Sequence, residues 1–556
     1  MAERRKLFSV LAIAAVLLVG AALRSSLIPA QLPYHYHADE FQVVERALRA
    51  GAGNLNPGLF TWPGSLVIYL DFVLYAVYFA VAFLSVAISS AADFARLYWT
   101  DPSVFYVLGR TLSTAFGLLA VWAVYYLTTR LYYMNTPEDT NRSPTAGLIA
   151  AASFALMPQA IISSTQALPD MAATALALAA LAAAVGGPGA RDWKRAALAG
   201  LLLGFAVASK YHAILYAIPL IGLLFVDMRS FKNRFKTTGL VAAGLIVGFA
   251  VACPFALLDF RAFAGDVTAM VKRPGMAVLA SNPTYLLAIT LPLGVSWPFL
   301  LFGAAGIVWC FIKRFKAAGL VILLLALPYV IIAIPRPLPP RHLLPLYPAF
   351  AIGTGVFATD LYDRAKKNAR RSPVYITPTI IAALLLIVAV NDIKLIAWEN
   401  REDSRTSALK YVEDTVPGGT VILTEAVEPD VASPYLWPDR ESLERIGKYR
   451  REKGLGGGER VARLLADPAY PFGKPAYDIR LVEMYDDLEG IDAKYAVRCI
   501  PDDERFFAEQ GEPPGARLNE WDERYAGFLR ERGELLATFS GAGRPGPTVE
   551  IYGIKP

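Results

Sequence analysis

Twelve apolar stretches, each long enough to cross a bilayer or nearly so, dominate the first 394 residues of this 556-residue chain. They run at 7–23, 65–91, 104–128, 145–163, 170–186, 196–209, 211–226, 238–258, 285–311, 317–334, 342–359 and 374–393. A hydrocarbon core about 30 Å thick takes about 20 helical residues to cross, and it tolerates only structures that pair their own backbone groups. Repeated runs of this length therefore predict a polytopic α-helical membrane protein. Charge divides the chain at the same place. Up to Lys394 there are 32 Lys and Arg against 17 Asp and Glu; from Leu395 to the end there are 22 against 31. One part avoids water and the other seeks it, which excludes a single soluble globule and a disordered chain. The overall charge of +6 comes from short clusters that flank the apolar runs, so it does not indicate nucleic-acid binding. Cys253, Cys310 and Cys499 are too widely spaced for a disulfide framework or a thiolate zinc site. With so many later apolar runs, 7–23 reads as an uncleaved first span and not as a signal peptide.

Lys and Arg accumulate on cytoplasmic loops, which orients the spans. Arg4, Arg5 and Lys6 place the N-terminus inside. Four dense basic clusters follow, at 191–195, 229–236, 313–316 and 364–371, separated from one another by even numbers of spans. All share the N-terminal side only if one of the first five stretches fails to cross. The segment 65–91, which follows Trp62-Pro-Gly, contains Asp71 and is rich in Tyr and Phe, is the candidate for a re-entrant or interfacial element. About 11 crossings remain, and the hydrophilic tail falls on the outer side. The expected organisation is a membrane domain over 1–394, with an outer loop at 24–103, followed by a soluble α/β domain over 395–556.

This topology gathers unusual polar residues on one face. Asp39 and Glu40 end the first loop after His35 and His37. Adjacent acids at a membrane boundary suit a general base, an acceptor-holding group or a metal ligand, and His35, His37 and Asp39 have the alternating spacing of a divalent-ion site. The plainer alternative is a capping pair ahead of the helix at 42–50. Asp170 follows Pro169 at the head of an Ala/Leu span, where an acid also stabilises a helix start. Arg110 lies about two turns inside its span. It requires an anionic partner, an interior-facing position or snorkelling to the headgroups. Arg336 and Arg341 occupy the proline-rich loop Ile-Pro-Arg-Pro-Leu-Pro-Pro-Arg-His-Leu-Leu-Pro-Leu-Tyr-Pro (334–348), with His342 beside the second. These arginines run against the inside-positive trend, so a local anion such as a lipid-linked phosphate is expected. Lys210-Tyr211-His212 supplies another cation at a reversal between two short spans, unless it only anchors the interface.

Five short motifs occur in order: His-Ala-Asp-Glu at 37–40, Gly-Arg-Thr-Leu-Ser at 109–113, Leu-Pro-Asp at 168–170, Ser-Lys-Tyr at 209–211 and Arg-His-Leu-Leu-Pro-Leu-Tyr-Pro at 341–348. Over roughly residues 1–395 the series resembles the GT-C glycosyltransferases, in the branch of protein O-mannosyltransferases and lipid A aminoarabinose transferases. The resemblance implies an enzyme that takes a hexose or pentose from a polyprenyl-phosphate donor on the extracytoplasmic side of the membrane and passes it to an acceptor hydroxyl. Asp39 would bind or deprotonate the acceptor, Glu40 would support it and Asp170 would be the second acid. Arg110, Lys210 and Arg341 would face the donor phosphate. His37, Tyr211 and His342 complete the candidate set, although His342 stands where the group commonly has Tyr. Single displacement would invert the anomeric configuration and needs no enzyme nucleophile. Compatible acceptors are protein, glycolipid and surface polysaccharide, and a divalent metal is a possible cofactor.

In the polar tail a helix is expected after Asp403 or Ser404, and strands at 420–425, 494–500 and 547–552. The glycines at 454 and 456–458 predict a loop, and no Gly-Lys-Ser/Thr follows to make it a phosphate loop. Acceptor selection is the expected role of this domain. Two other classes share parts of the pattern. A transporter or flippase would carry internal repeats and midplane charges, and neither is visible here. A non-catalytic scaffold would be indifferent to Asp39.

Overall fold

The computed structural model describes residues 2–34, 36–37, 39–62, 64–135, 143–185, 192–227, 231–272, 284, 286–313, 316–333, 339–367, 375–425, 434–454, 458–485, 487–500, 520–541 and 543–555. They form two compact units. The first comprises Met1–Pro29, Gln42–Ser89 and Val104–Ile396, and the second Ala30–Phe41, Ser90–Ser103 and Ala397–Pro556. The second unit thus takes in two pieces of the predicted outer loop as well as the polar tail.

The first unit is a helical membrane body. Among the described residues, five helical stretches are long and apolar enough to cross a bilayer: Leu7–Ser25, Ser65–Leu84, Ser103–Met134, Phe235–Ala252 and the one beginning at Ile376. A sixth would be the pair Leu286–Val295 and Trp297–Ile312, which bends by 104° at its junction. The break falls at Ser296, whose φ of 74° lies in the left-handed region. Pro144–Ala155, Pro169–Ala184, Tyr211–Leu224 and Ala318–Val330 are apolar but shorter. Several predicted spans are therefore cut where apolar composition gives no warning. The run 145–163, for example, becomes Ser143–Ala155 and Pro158–Ser163, because Pro158 starts a new helix instead of continuing the old one.

Within the segment 65–91, Ser65–Leu84 is one unbroken helix of 20 residues, long and apolar enough to cross a bilayer. Asp71, on this helix, is fully buried, so its carboxyl is turned into the protein interior.

Small residues set the closest helix contacts. Gly200 and Gly204 on Asp192–Ser209 face Gly244 and Gly248 on Phe231–Ala252. A Cβ at Gly200 would lie 2.2 Å from the Val241 carbonyl oxygen, and one at Gly248 would lie 2.3 Å from that of Leu201. Two small-xxx-small stripes thus bring two backbones together where only glycine fits. The Ala-rich helix Pro169–Ala184 is buried on nearly all sides, as its all-round apolar character requires.

The second unit is a mixed α/β fold. Strands β1 (Val421–Thr424), β2 (Trp437–Pro438), β3 (Ala476–Leu481), β4 (Tyr495–Ile500), β5 (Gly533–Phe539) and β6 (Thr548–Ile554) form one sheet in the order β2-β3-β1-β4-β6-β5. β1 pairs in parallel with β3 and β4, and β6 runs antiparallel to β4 and β5. Helix Ser404–Thr415 begins at N-cap Asp403, as expected. Arg405 grips the same carboxylate at 2.8 and 2.7 Å, and its guanidinium lies 3.8 Å from the centre of the Tyr36 ring. Tyr36 hydrogen-bonds Thr406 at 2.8 Å, and the Gln31 amide donates to the carbonyls of Glu399 and Arg401. These bonds make segment 30–41 part of this unit. The predicted glycine loop falls largely outside the described residues, apart from Gly454 and Gly458.

Candidate active site

Three chain reversals in the first unit bring their polar residues together. Pro169 occupies the first turn of its helix, where its missing N–H costs nothing, and Asp170 follows it. The chain leaves Asp192–Ser209 at Lys210, which is extended, and turns into the 3₁₀ helix Tyr211–Tyr216. The proline-rich loop forms a second 3₁₀ helix, Pro340–Leu346. Tyrosines pin both turns: Tyr216 donates to the Pro345 carbonyl at 2.6 Å, Tyr347 to that of Pro340 at 2.7 Å, and Tyr211 to that of Phe60 at 2.9 Å.

Lys210 Nζ donates to Asp170 Oδ1 at 2.5 Å, with only 13% and 6% of the two side chains exposed. Arg341 and His342 also act electrostatically on Asp170, and both Lys210 and Asp170 act on His212. Residues separated by up to 172 positions thus share one electrostatic environment. Within this group cationic and imidazole side chains outnumber the carboxylate. Such a cluster suits a phosphate or another developing negative charge. His212 is held by Tyr329, whose hydroxyl lies 3.4 Å from Nδ1 and donates to the His212 carbonyl at 3.2 Å.

Arg110 makes a different contact. Its Nη1 donates to the Ile28 carbonyl at 2.9 Å, just beyond the first helix, and its guanidinium lies 5.8 Å from the Tyr106 ring. Its burial is thus partly explained by tying the end of one helix to the side of another. Asp39 and Glu40 belong to the second unit's segment 30–41. Glu40 is buried in the first turn of helix Glu40–Gly51, and the Asp39 amide donates to His37 Nδ1 at 3.1 Å. His35 and Arg336 lie outside the described residues. Among the described residues no three His, Cys, Asp or Glu side chains converge as a metal site.

Three buried ionisable residues were not singled out as site candidates from the sequence. Arg24 donates to Ser164 Oγ and the Ala155 carbonyl, each at 3.1 Å, and interacts electrostatically with Asp392 on helix Ile376–Glu399. Asp71 is fully buried, and among the described residues neither oxygen has a hydrogen-bond partner. A Cβ at Gly109 would lie 3.4 Å from it, so Gly109 leaves room for this carboxyl beside the Arg110 helix. The available signal was an ionisable group inside an apolar run for Asp71 and Asp392, and at the end of one for Arg24.

Residues 103–257 match the family described as dolichyl-phosphate-mannose-protein mannosyltransferase. No curated protein matches the chain. Among solved structures, the chain is similar to apo ArnT from Cupriavidus metallidurans at 14% identity, covering 98% of this chain and 97% of that one with a TM-score of 0.54. The undecaprenyl phosphate-bound form of the same ArnT gives 12% identity, the same coverage and the same TM-score. An oligosaccharyltransferase from Archaeoglobus fulgidus aligns at 15% identity over 94% of this chain and 73% of that one, with a TM-score of 0.45. At these identities the likeness to ArnT shows the fold: a GT-C-type helical membrane body followed by a small sheet-containing unit.

Proposed function

We propose that this chain, which has the fold of the GT-C membrane glycosyltransferases, moves a sugar from a polyprenyl-phosphate carrier to an acceptor hydroxyl, with inversion, on the extracytoplasmic side of the membrane. The observation that carries this reading is the buried Asp170–Lys210 pair with Arg341 acting on the same carboxylate. A lipid phosphate is already a fair leaving group. Cations aimed at its oxygens stabilise the charge that grows as the anomeric bond breaks. Lys210 and Arg341 take this role, and Asp170 orients the ammonium between turnovers. The undecaprenyl phosphate held by the ArnT relative supports a polyprenyl phosphate as the carrier.

Asp39 is the proposed base. It takes the acceptor's proton as the hydroxyl oxygen bonds to the anomeric carbon and the phosphate leaves, so one bond forms and one breaks. Glu40 supports it. The test is a panel of polyprenyl-phosphate sugars supplied to the reconstituted protein together with host-membrane acceptor extract. Release of polyprenyl phosphate coupled to sugar transfer from one donor is expected. A well-folded protein that turns over no donor would refute the proposal.

A further inference from the structure

Two helices of the first unit build a polar cluster at the end remote from the candidate active site. Helix Tyr347–Lys367 starts where the 3₁₀ helix Pro340–Leu346 stops, and its 21 residues run about 30 Å away from that turn. Helix Trp297–Ile312 packs closely on it, since a Cβ at Gly306 would lie 2.2 Å from the Gly353 carbonyl oxygen. The last turns of the two helices therefore share side-chain contacts. Trp309 Nε1 and Arg364 Nε donate to the same oxygen of Asp360, at 2.8 and 2.7 Å. The Arg364 guanidinium lies 5.5 Å from the centre of the Trp309 ring, and the Lys313 ammonium 4.9 Å from it. Phe357 meets the same indole at 5.3 Å. Two cations thus converge on one ring, and the carboxylate hydrogen-bonded within this group is Asp360. The neighbouring acid, Asp363, is buried and accepts from Tyr132 at 3.2 Å. Lys366 and Lys367 add two exposed ammoniums in the same turn. A helix C-terminus favours a cation, but its dipole does not draw two of them onto one indole.

An apolar stripe leads up to this cluster. On helix Trp297–Ile312 the exposed residues are Leu301, Ala304, Ala305, Val308, Phe311 and Ile312, and their spacing of three and four puts them on one face. The stripe ends at Lys313, which caps the helix. From Leu301 to Ile312 it rises about 17 Å, slightly over half of a hydrocarbon core about 30 Å thick. Its length is that of one leaflet, and the two alanines leave a shallow slot between Leu301 and Val308. We infer that this surface seats one anionic phospholipid, its phosphate against Lys313 and Arg364 and an acyl chain along the stripe. A phosphodiester brings the single negative charge that the two cations and one carboxylate lack. The indole sits at headgroup level, where a ring with one polar edge is stable. A headgroup that carries its own ammonium, such as choline, meets Lys313, Lys366 and Lys367 as a like charge, so the site selects a headgroup of the phosphatidylglycerol kind. A soluble phosphate would use the cations and leave the stripe empty. This site lies apart from the Asp170–Lys210 pair and does not rest on the glycosyltransferase reading.

Titration of the full-length protein in detergent with phosphatidylglycerol and phosphatidylcholine, read by native mass spectrometry, tests the assignment. The first phosphatidylglycerol should bind at least about tenfold tighter than the first phosphatidylcholine. Lys313→Gln combined with Arg364→Gln should abolish that preference while leaving phosphatidylcholine unchanged. Lys194→Gln combined with Lys236→Gln, which removes two exposed lysines from other basic clusters, should keep it. If the Lys313 and Arg364 double variant fails to fold, Lys313→Gln alone, at an exposed cap, should weaken phosphatidylglycerol about fivefold. Inorganic phosphate in excess should leave the bound lipid in place. Equal affinity for the two lipids would overturn the proposal. An equal loss in the Lys194 and Lys236 variant would overturn it in favour of diffuse attraction to positive charge. Displacement of the lipid by inorganic phosphate would overturn it in favour of a soluble-anion site.

Discussion

Replacing Lys210 by Met should damage stability and turnover by separable mechanisms. The ammonium and the Asp170 carboxylate keep 13% and 6% of their side-chain surface exposed, so neither can turn to water when its partner is lost. Removing one partner of such a pair costs about 3–5 kcal/mol, because a charge is left buried without compensation. Arg341 still acts on Asp170, which puts the expected loss near the lower end, about 3 kcal/mol. Substituting both residues, Lys210→Met with Asp170→Leu, removes the stranded charge and should return stability to within about 1 kcal/mol of the parent. Turnover should not return. The charge-assisted hydrogen bond to a donor phosphate is worth about 1.5–3 kcal/mol, so both variants should lose about 10- to 150-fold in donor turnover. Thermal unfolding in detergent, followed by tryptophan fluorescence, gives the first quantity, and release of polyprenyl phosphate gives the second. Recovery of turnover along with stability in the double variant would show the pair to be purely structural. An unchanged melting point for Lys210→Met would refute the burial reasoning.

Further outcomes follow from the same geometry. Gly248→Val would drive a side chain into the Leu201 carbonyl, 2.3 Å from where its Cβ must sit. Yield and melting temperature should collapse, whereas Gly239→Val, with nothing within 4 Å, should be tolerated. Arg24→Met should destabilise the membrane body by about 3 kcal/mol, and Asp392→Asn should recover part of that loss, as read by thermal unfolding. In the second unit, burial alone would raise the Asp478 carboxyl, but hydrogen bonds from Arg480, Arg445 and Ser442 outweigh it and hold the group below the usual carboxylate range. A depressed folded-state value means that this stabilisation is present above about pH 4 and is lost as the pH falls further. Protection of the β3 amides, relative to their intrinsic exchange rates, should therefore fall on acidification, and Asp478→Asn should flatten that fall.

The architecture was legible where its signals are local. Apolar runs marked most helices, the drop in hydrophobicity after Lys394 marked the polar chain, and β-branched residues marked β1, β4 and β6. β3 was missed because Ala-Tyr-Asp-Ile-Arg-Leu buries alternate positions while carrying two charges, so its period of two is hidden by polar residues. The breaks at Leu156–Met157 and Ser296 are hidden from apolar composition, and their sequence signals are the prolines just beyond them, Pro158 and Pro298, at the start of each new helix. For the candidate site, the meeting of Asp170, Lys210 and Arg341 was visible as polar residues at the ends of apolar runs. The Arg110 bond to the Ile28 carbonyl and the inward turn of Asp71 depend on which helix faces pack, and one sequence does not carry that information. The same holds for the stitching of Gln31 and Tyr36 into the second unit.

The central claim is sugar transfer by single displacement with a carboxylate base. The most direct measurement is the anomeric configuration of the transferred sugar, read by NMR on product made from a polyprenyl-phosphate donor of known configuration, with Asp39→Asn run in parallel. Inverted product is expected from the parent protein and almost none from the variant, with donor binding retained. Retained configuration, or full transfer by Asp39→Asn, would contradict it.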